Sequence, residues 1–392
     1  MELKLPLLLD GDISHAYADK VGQDDCVQQW ILDHRDEALA LADAHAAAGA
    51  DMLLTPTGGM NTLLALEQVW KLNAALVTLT GRAGGNRPVA GTIVSTGHLH
   101  EPFGPMPYTD LIDTYAEQAI ELALAGADYL LLRDMRTLGD ARAVVLGARQ
   151  AERPVFVSVR LEGAQASASA DMDPLAALLC LQELGVCAFG VYHPDPEALA
   201  RILARLAPHA RVPLMAGVPL DGRTAEELHR DCFELLAAGA RVLFTGEGIG
   251  PEHTKVLRRL LDSFDYAAFS LPERPEDTPL LLTDETQVYY LEEDFTASEE
   301  IGCGLDMSEA ILADEDQNTD ALLFHVRSID DAYRLGQNAH MAGKAVILLA
   351  ESEEALEMAL LYYRGRALVD SRSDVPPMTM KALAKGYGAI VR

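Results

Sequence analysis

One phrase recurs along this chain: AAAGADMLLT at 46–55, ALAGADYLLL at 123–132, QELGVCAFGV at 182–191 and LAAGARVLFT at 236–245. Each is the end of an Ala/Leu-rich helix, a glycine able to cap it in the left-handed conformation, and an apolar strand. The apolar runs are continuous, as a strand covered on both faces requires. LPLLLD (5–10), VAGTIV (89–94), PVFVSV (154–159) and VPLMA (212–216) raise the strand candidates to eight, with helical stretches such as YTDLIDTYAEQAIELALAG and DPEALARILARLA between them. Eight strand–helix alternations over about 260 residues predict a (β/α)8 TIM barrel. A doubly wound open sheet is the rival, but its glycine-rich nucleotide turn after an early strand is missing, and GRAGGNRP at 81–88 precedes a strand.

The pattern breaks at SLPERPEDTP, which is Pro-rich, charged and aperiodic. The chain therefore divides into a barrel over 1–268, a linker over 269–279 and a smaller α/β lobe over 280–392. In the lobe, QVYYL, ALLFHV, AVILLA, ALVDS and GAIV are expected strands, with IDDAYRLGQNAHMAG and SEEALEMALLYYRG as helices. That is too few strands to close a second barrel. A three-layer lobe packed on the barrel, or on a second subunit, would cover its faces.

The 392 residues carry a formal net charge of −29, from 31 basic against 60 acidic side chains. Such a charge repels phosphate backbones and anionic lipid, so no nucleic-acid or membrane partner is expected. The five cysteines form no C-x-x-C pair, which argues for a reducing compartment. No apolar run approaches the roughly 20 residues needed to span a bilayer, and LPLLLD is too short for a signal peptide. A cytoplasmic protein is expected.

Active sites of such barrels form at the carboxyl ends of the strands. Those positions carry Asp10 and Asp12, then Thr55, Thr57 and Asn61, then Ser95, His98 and His100. Arg133 and Asp134 follow the fourth strand, Ser158 and Arg160 end the fifth, Tyr192 and His193 the sixth, and Gly246 and Glu247 the eighth. Asp10 and Asp12 can orient a substrate or cap a turn. Thr57 and the glycines after it can cradle an anion or simply form a turn.

LLLDGD, ADMLLTPTGGMN, VAGTIVSTGHLHEP and the PEH of FTGEGIGPEH, in this order at the ends of the first, second, third and eighth strands, resemble the homocysteine S-methyltransferase family. The family includes the barrel domains of cobalamin-dependent methionine synthase and betaine–homocysteine methyltransferase. The resemblance covers roughly residues 5–265 and implies methyl transfer in one-carbon metabolism. It also implies a zinc ion held by three cysteines, one ending the sixth strand and two in a Gly-Gly-Cys-Cys-Gly turn after the eighth. Soft thiolates suit that task, since a zinc-bound thiolate stays deprotonated yet nucleophilic.

Here His193, Gly246 and Glu247 stand at the three cysteine positions, and Arg133 stands where the family has a glutamate for the substrate's amino group. An arginine there repels an ammonium and favours a carboxylate or phosphate. The expected substrate is therefore a small anionic acceptor other than homocysteine. Arg133, Asp134, Thr57, Asn61 and Ser158 would bind it, and Glu247, His193 and Asp10 would be the catalytic groups. His193 and Glu247, with His98 and His100, offer ligands for zinc or another divalent ion, or are ordinary rim residues. The alternative to an enzyme is a catalytically degenerate barrel that binds a ligand or partner. A lyase or isomerase using Arg133 and a carboxylate is a third reading.

ESEEALEMALLYYRGRALVDSRS and LAKGYGAIVR resemble the opening half of the pterin-binding barrels that accompany homocysteine domains in cobalamin-dependent methionine synthases. Half of such a barrel implies a docking or dimerisation role, so a homodimer and a corrinoid, folate or methyltransferase partner are the expected associations.

Overall fold

The computed structural model describes residues 4–10, 12–22, 26–64, 68–161, 172–218, 223–246, 248–269, 279–315 and 319–392. The linker candidate falls almost wholly outside them, as does Glu247. Eight parallel strands close a barrel in sequence order. They are β1 (Leu7–Asp10), β2 (Met52–Leu54), β3 (Val89–Val94), β4 (Tyr129–Met135), β5 (Val155–Arg160), β6 (Ala188–Tyr192), β7 (Leu214–Val218) and β8 (Ala240–Thr245). β1 pairs with both β2 and β8, which completes the ring.

The glycine of every repeated phrase is left-handed: φ is +114° at Gly49, +106° at Gly126, +86° at Gly185 and +118° at Gly239. At Gly49 the amide bonds back to the carbonyl of Ala46 and that of Ala50 to the carbonyl of His45, which ends the helix Arg35–Ala48 and aims the chain into β2. A side chain would strain these turns, because only glycine adopts this φ without a Cβ penalty.

Strand side chains alternate between two cores. Leu9, Leu54, Ala90, Leu131, Phe156, Ala188, Met215 and Val242 fill the barrel interior. Leu8, Ile93, Leu130, Leu132, Val157, Val191 and Leu243 face the surrounding helices. A parallel strand buried on both faces has no polar side to show, hence the unbroken apolar runs.

The C-terminal lobe holds a two-stranded antiparallel hairpin and a five-stranded parallel sheet. The hairpin is β9 (Leu280–Thr283) and β10 (Val288–Leu291). The sheet is β11 (Ala297–Gly302), β12 (Ala321–Val326), β13 (Ala345–Ala350), β14 (Leu368–Val369) and β15 (Ile390–Val391), in that order. QVYYL thus belongs to the hairpin, and β9 and β11 were not anticipated. β11 reads ASEEIG and buries only Ser298 and Ile301, so it carries no apolar run to read. Helices pack on one sheet face through Phe324, Leu335, Leu348, Leu356 and Val369. The hairpin covers the other through Leu282 and Leu291 against Leu323, Ile347 and Leu368. The lobe is thus layered as helices, sheet and hairpin, with a hairpin rather than helices as its third layer.

The lobe is bound to its own barrel. Arg142, fully buried in the barrel helix Leu138–Ala148, donates to the lobe carbonyls of Leu361 (2.8 Å), Leu360 (2.5 Å) and Tyr387 (3.2 Å). Arg149 donates to the carbonyl of Gly386 at 2.7 Å. Arg366 lies 3.5 Å from Glu183, an ion pair that crosses the same seam. On the rim, Tyr333 and Gln337 of the lobe donate to Glu101 at 3.1 and 3.2 Å.

Candidate functional site

β4 and β5 send alternate side chains inward, so Arg133 follows Leu131 into the mouth while Ser158 and Arg160 follow Phe156. Arg133 Nη2 bonds Asp12 at 2.7 Å across the opening, with side chains only 7% and 4% exposed. Its Nη1 donates to the carbonyl of Thr245 at 3.4 Å, which ties β4 to β8. Asp134, at φ +63°, turns its carboxylate between Arg133 (3.5 Å) and Arg160 (3.3 Å). The Arg160 guanidinium also stacks over the Tyr192 ring at 4.5 Å. The described mouth therefore pairs two arginines with two aspartates, its acids held as partners of the guanidinium groups.

This network leaves atoms unsatisfied. Ser158 Oγ, Thr92 Oγ1 and the Nε atoms of Arg133 and Arg160 are buried without a hydrogen-bond partner among the described residues. Each such group costs about 1–3 kcal/mol. All four belong to inward positions on β3, β4 and β5. An acceptor-rich ligand entering the mouth would relieve them.

The remaining predicted residues are placed as follows. Asp10 points out of the barrel: it accepts from Thr245 and Thr254 through short contacts and lies 3.0 Å from His45 Nδ1. It thereby holds β1, β8 and two helices together. Thr57 donates to the carbonyl of Thr92 at 2.8 Å and shares a 2.6 Å bond with Thr55, while Gln118 donates to the Thr57 carbonyl at 2.9 Å. Asn61 accepts from the amide of Leu63 at 3.1 Å, an Asx turn that shapes the same loop. His193 is buried, and its Nδ1 lies 3.0 Å from both the amide and the carbonyl of Asp195, so only Nε2 is left for a ligand. His98 is exposed. His100 is buried, with Nδ1 2.8 Å from the carbonyl of Glu101, and lines a separate cavity beside the mouth.

Sequence reasoning missed His45, Gln118 and Asp140. His45 and Gln118 sit in Ala-rich helices at buried spacing, where a lone polar residue was the available signal. Asp140 follows Thr137, whose hydroxyl caps the helix Leu138–Ala148, and so reads as a first-turn acid. In the structure it is buried, and burial raises its carboxyl pKa against the opposing pull of Ser95, Tyr115 and His100.

An eight-stranded parallel barrel with a polar cluster at the carboxyl ends of its strands defines the class: a (β/α)8 protein. The sequence model of the homocysteine S-methyltransferase family matches residues 7–261, and the chain belongs to that family. It is 31% identical over 135 residues to methionine synthase of Mycobacterium leprae (strain TN), which spans 32% of this chain and 11% of that protein. Methionine synthase of Mycobacterium tuberculosis (strain ATCC 25618 / H37Rv) is 30% identical over the same length and share. The match thus spans about a tenth of the length of these curated relatives. The homocysteine methyltransferase MmuM from Escherichia coli, in its metallated form, superposes with a TM-score of 0.53 at 19% identity, over 64% of this chain and 95% of that one. Its oxidised form gives 0.51 at 20% identity over 64% and 95%. At such identities these structures speak for the fold.

The donor chemistry does not fit the family's cysteine-held zinc. Gly246 has no side chain to offer and His193 supplies one nitrogen. Among the described residues no three His, Cys, Asp or Glu side chains converge as metal ligands. The cysteines lie elsewhere. Cys180, Cys232 and Cys303 are buried, and burial raises all three thiols, Cys303 to about 12, away from the thiolate a metal needs. Cys187 precedes β6 at the opposite end of the barrel from the mouth.

Proposed function

We propose that this chain is a methyl-transfer-class protein whose barrel mouth binds a small carboxylate- or phosphate-bearing molecule other than homocysteine. The observation that carries this reading is Arg133, a buried cation whose Nε makes no hydrogen bond among the described residues, on the inward strand face that also carries the unpartnered hydroxyl of Ser158. A guanidinium presents its donors as a planar fork suited to an oxyanion, and a hydroxyl alongside adds a third donor. An ammonium group would meet like charge at that position. Chemistry in such a mouth proceeds without a cysteine-held zinc, since none of the three positions carries sulfur.

Calorimetric titration with succinate and with inorganic phosphate tests the reading. Saturable binding to the full chain that weakens at least tenfold in Arg133→Gln is expected, with no binding of L-homocysteine. Equal affinity in wild type and variant would remove Arg133 from the site.

A second reading, binding without catalysis, is favoured by the absence of all three thiolates together. Incubation with labelled methyl donors of the sulfonium and methyl-folate classes, plus the anion that binds, separates the two. Label recovered in a small product supports transfer, and an unlabelled ligand with intact affinity supports a binding protein. The His193–Glu247 metal idea is checked by elemental analysis of wild type and His193→Ala. A stoichiometric divalent ion lost in the variant is the result it requires.

A further inference from the structure

A cavity of about 640 Å³ lies between the barrel rim and the lobe, within the range of roughly 300–1,000 Å³ typical of small-molecule sites. It shares no residue with the Arg133 mouth. One wall comes from the loop after β3, the floor from the start of the helix Leu138–Ala148, and the far wall from the lobe. Neither the barrel nor the lobe alone encloses it.

The wall is ring-rich and apolar. Leu99 and Phe103 are 59% and 56% exposed, unusual for large apolar side chains at a polar surface. The Phe103 ring meets the His340 imidazole edge-on at 5.2 Å, which joins loop to lobe, and Tyr362 adds a second ring. The lobe's acids there are already ion-paired or hydrogen-bonded. Glu285 is paired with Arg364 through a short contact. The Asp284 carboxylate accepts from the amides of Thr286 (2.6 Å) and Gln287 (2.8 Å) and from the hydroxyl of Tyr289 (2.5 Å). Arg136 is engaged as well.

The floor is polar. Thr96 N–H donates to the Tyr115 hydroxyl at 3.0 Å, which in turn donates to Asp140 Oδ1 at 2.6 Å. His100, fixed through Nδ1, shares the floor, as does Ser95. Rings around the wall and hydrogen-bonding groups beneath suit a flat molecule with one polar edge. Charged groups already engaged by the protein give little advantage to a charged one, because an ion taken out of water has to recover its solvation.

We propose that this interdomain cavity is a second binding site, for a neutral ring-bearing small molecule whose amide-like edge meets Asp140, His100 and Ser95. Phe103 is its aromatic clamp. The inference stands independently of the anion reading at the mouth.

Fluorine NMR titration of the full chain with 4-fluorobenzamide, 4-fluorobenzoate and 4-fluorobenzamidine tests it. The neutral amide is expected to bind at least fivefold tighter than either ion, and saturating succinate leaves it bound. Phe103→Ala weakens the amide at least fivefold, as does Ala339→Phe, which fills the cavity from the lobe side. If Ala339→Phe fails to fold, Phe103→Ala alone decides, since its side chain is largely exposed. Displacement by succinate, stronger binding of either ion, or wild-type affinity in Phe103→Ala would overturn the proposal.

Discussion

The barrel mouth and the barrel–lobe seam are both built around buried arginines, and they solve the burial problem differently. At the seam, the Nη atoms of Arg142 donate to three lobe carbonyls and only its Nε makes no hydrogen bond among the described residues, so the joint is held by fixed dipoles. At the mouth, Arg133 is ion-paired with two carboxylates, Asp12 at 2.7 Å and Asp134 at 3.5 Å, yet its Nε makes no hydrogen bond among the described residues, and neither do the inward hydroxyls of Ser158 and Thr92. A buried polar group without a partner is costly, so several of them gathered on the inward face of β3, β4 and β5 favour a ligand there, whereas the seam makes its bonds within the chain.

The largest effect belongs to the seam. Arg142→Leu strands three carbonyls and is expected to cost about 3–5 kcal/mol in chemical denaturation, from several charge-assisted bonds lost at once. A midpoint equal to wild type would erase the contrast, because the seam would then be as loosely made as the mouth. Arg133→Gln acts on the other side. It should cost only about 1–3 kcal/mol, since the glutamine amide can still donate to Asp12, while abolishing most anion binding.

Ser158→Ala sharpens the contrast further. Removing an orphaned hydroxyl should leave stability unchanged or raise it by about 1 kcal/mol, and should weaken succinate severalfold. A loss of stability would mean that Ser158 is satisfied within the fold. Smallest of all, Phe103→Ala at the cavity rim should change stability by less than about 0.5 kcal/mol.

Asp140 adds a pH signature. Burial raises its carboxyl pKa, so between the unfolded value near 3.8 and the raised folded value the native state holds the extra proton. Stability from this group is complete below the unfolded value and is lost as pH rises through the folded one. Asp140→Asn should flatten that slope in urea titrations run from pH 4 upward. An unchanged slope would assign the titration to another group.

How much of this was legible beforehand follows from periodicity. All eight barrel strands were marked by apolar runs and by glycines such as Gly49 and Gly239, because a parallel strand buried twice over can hide in no other pattern. β11 escaped, since an edge strand with one buried apolar residue looks like a loop. Strand ends named Arg133, Ser158 and His193 for the mouth. They could not show that Asp10 faces outward to His45 and Thr254, a matter of one residue's parity at the end of a four-residue strand.

The sequence by itself determined the eight-stranded barrel and the absence of sulfur at the positions where the family resemblance implies zinc ligands. Those are local facts, carried by runs, turns and residue identity. The tertiary structure decided which polar atoms meet. Only folding brings Asp12 to Arg133, Arg142 to Leu360 and Phe103 to His340, across separations no local pattern records. The unmatched atoms of the mouth and the cavity beneath the lobe arise from that assembly, because satisfaction and enclosure are properties of neighbours in space.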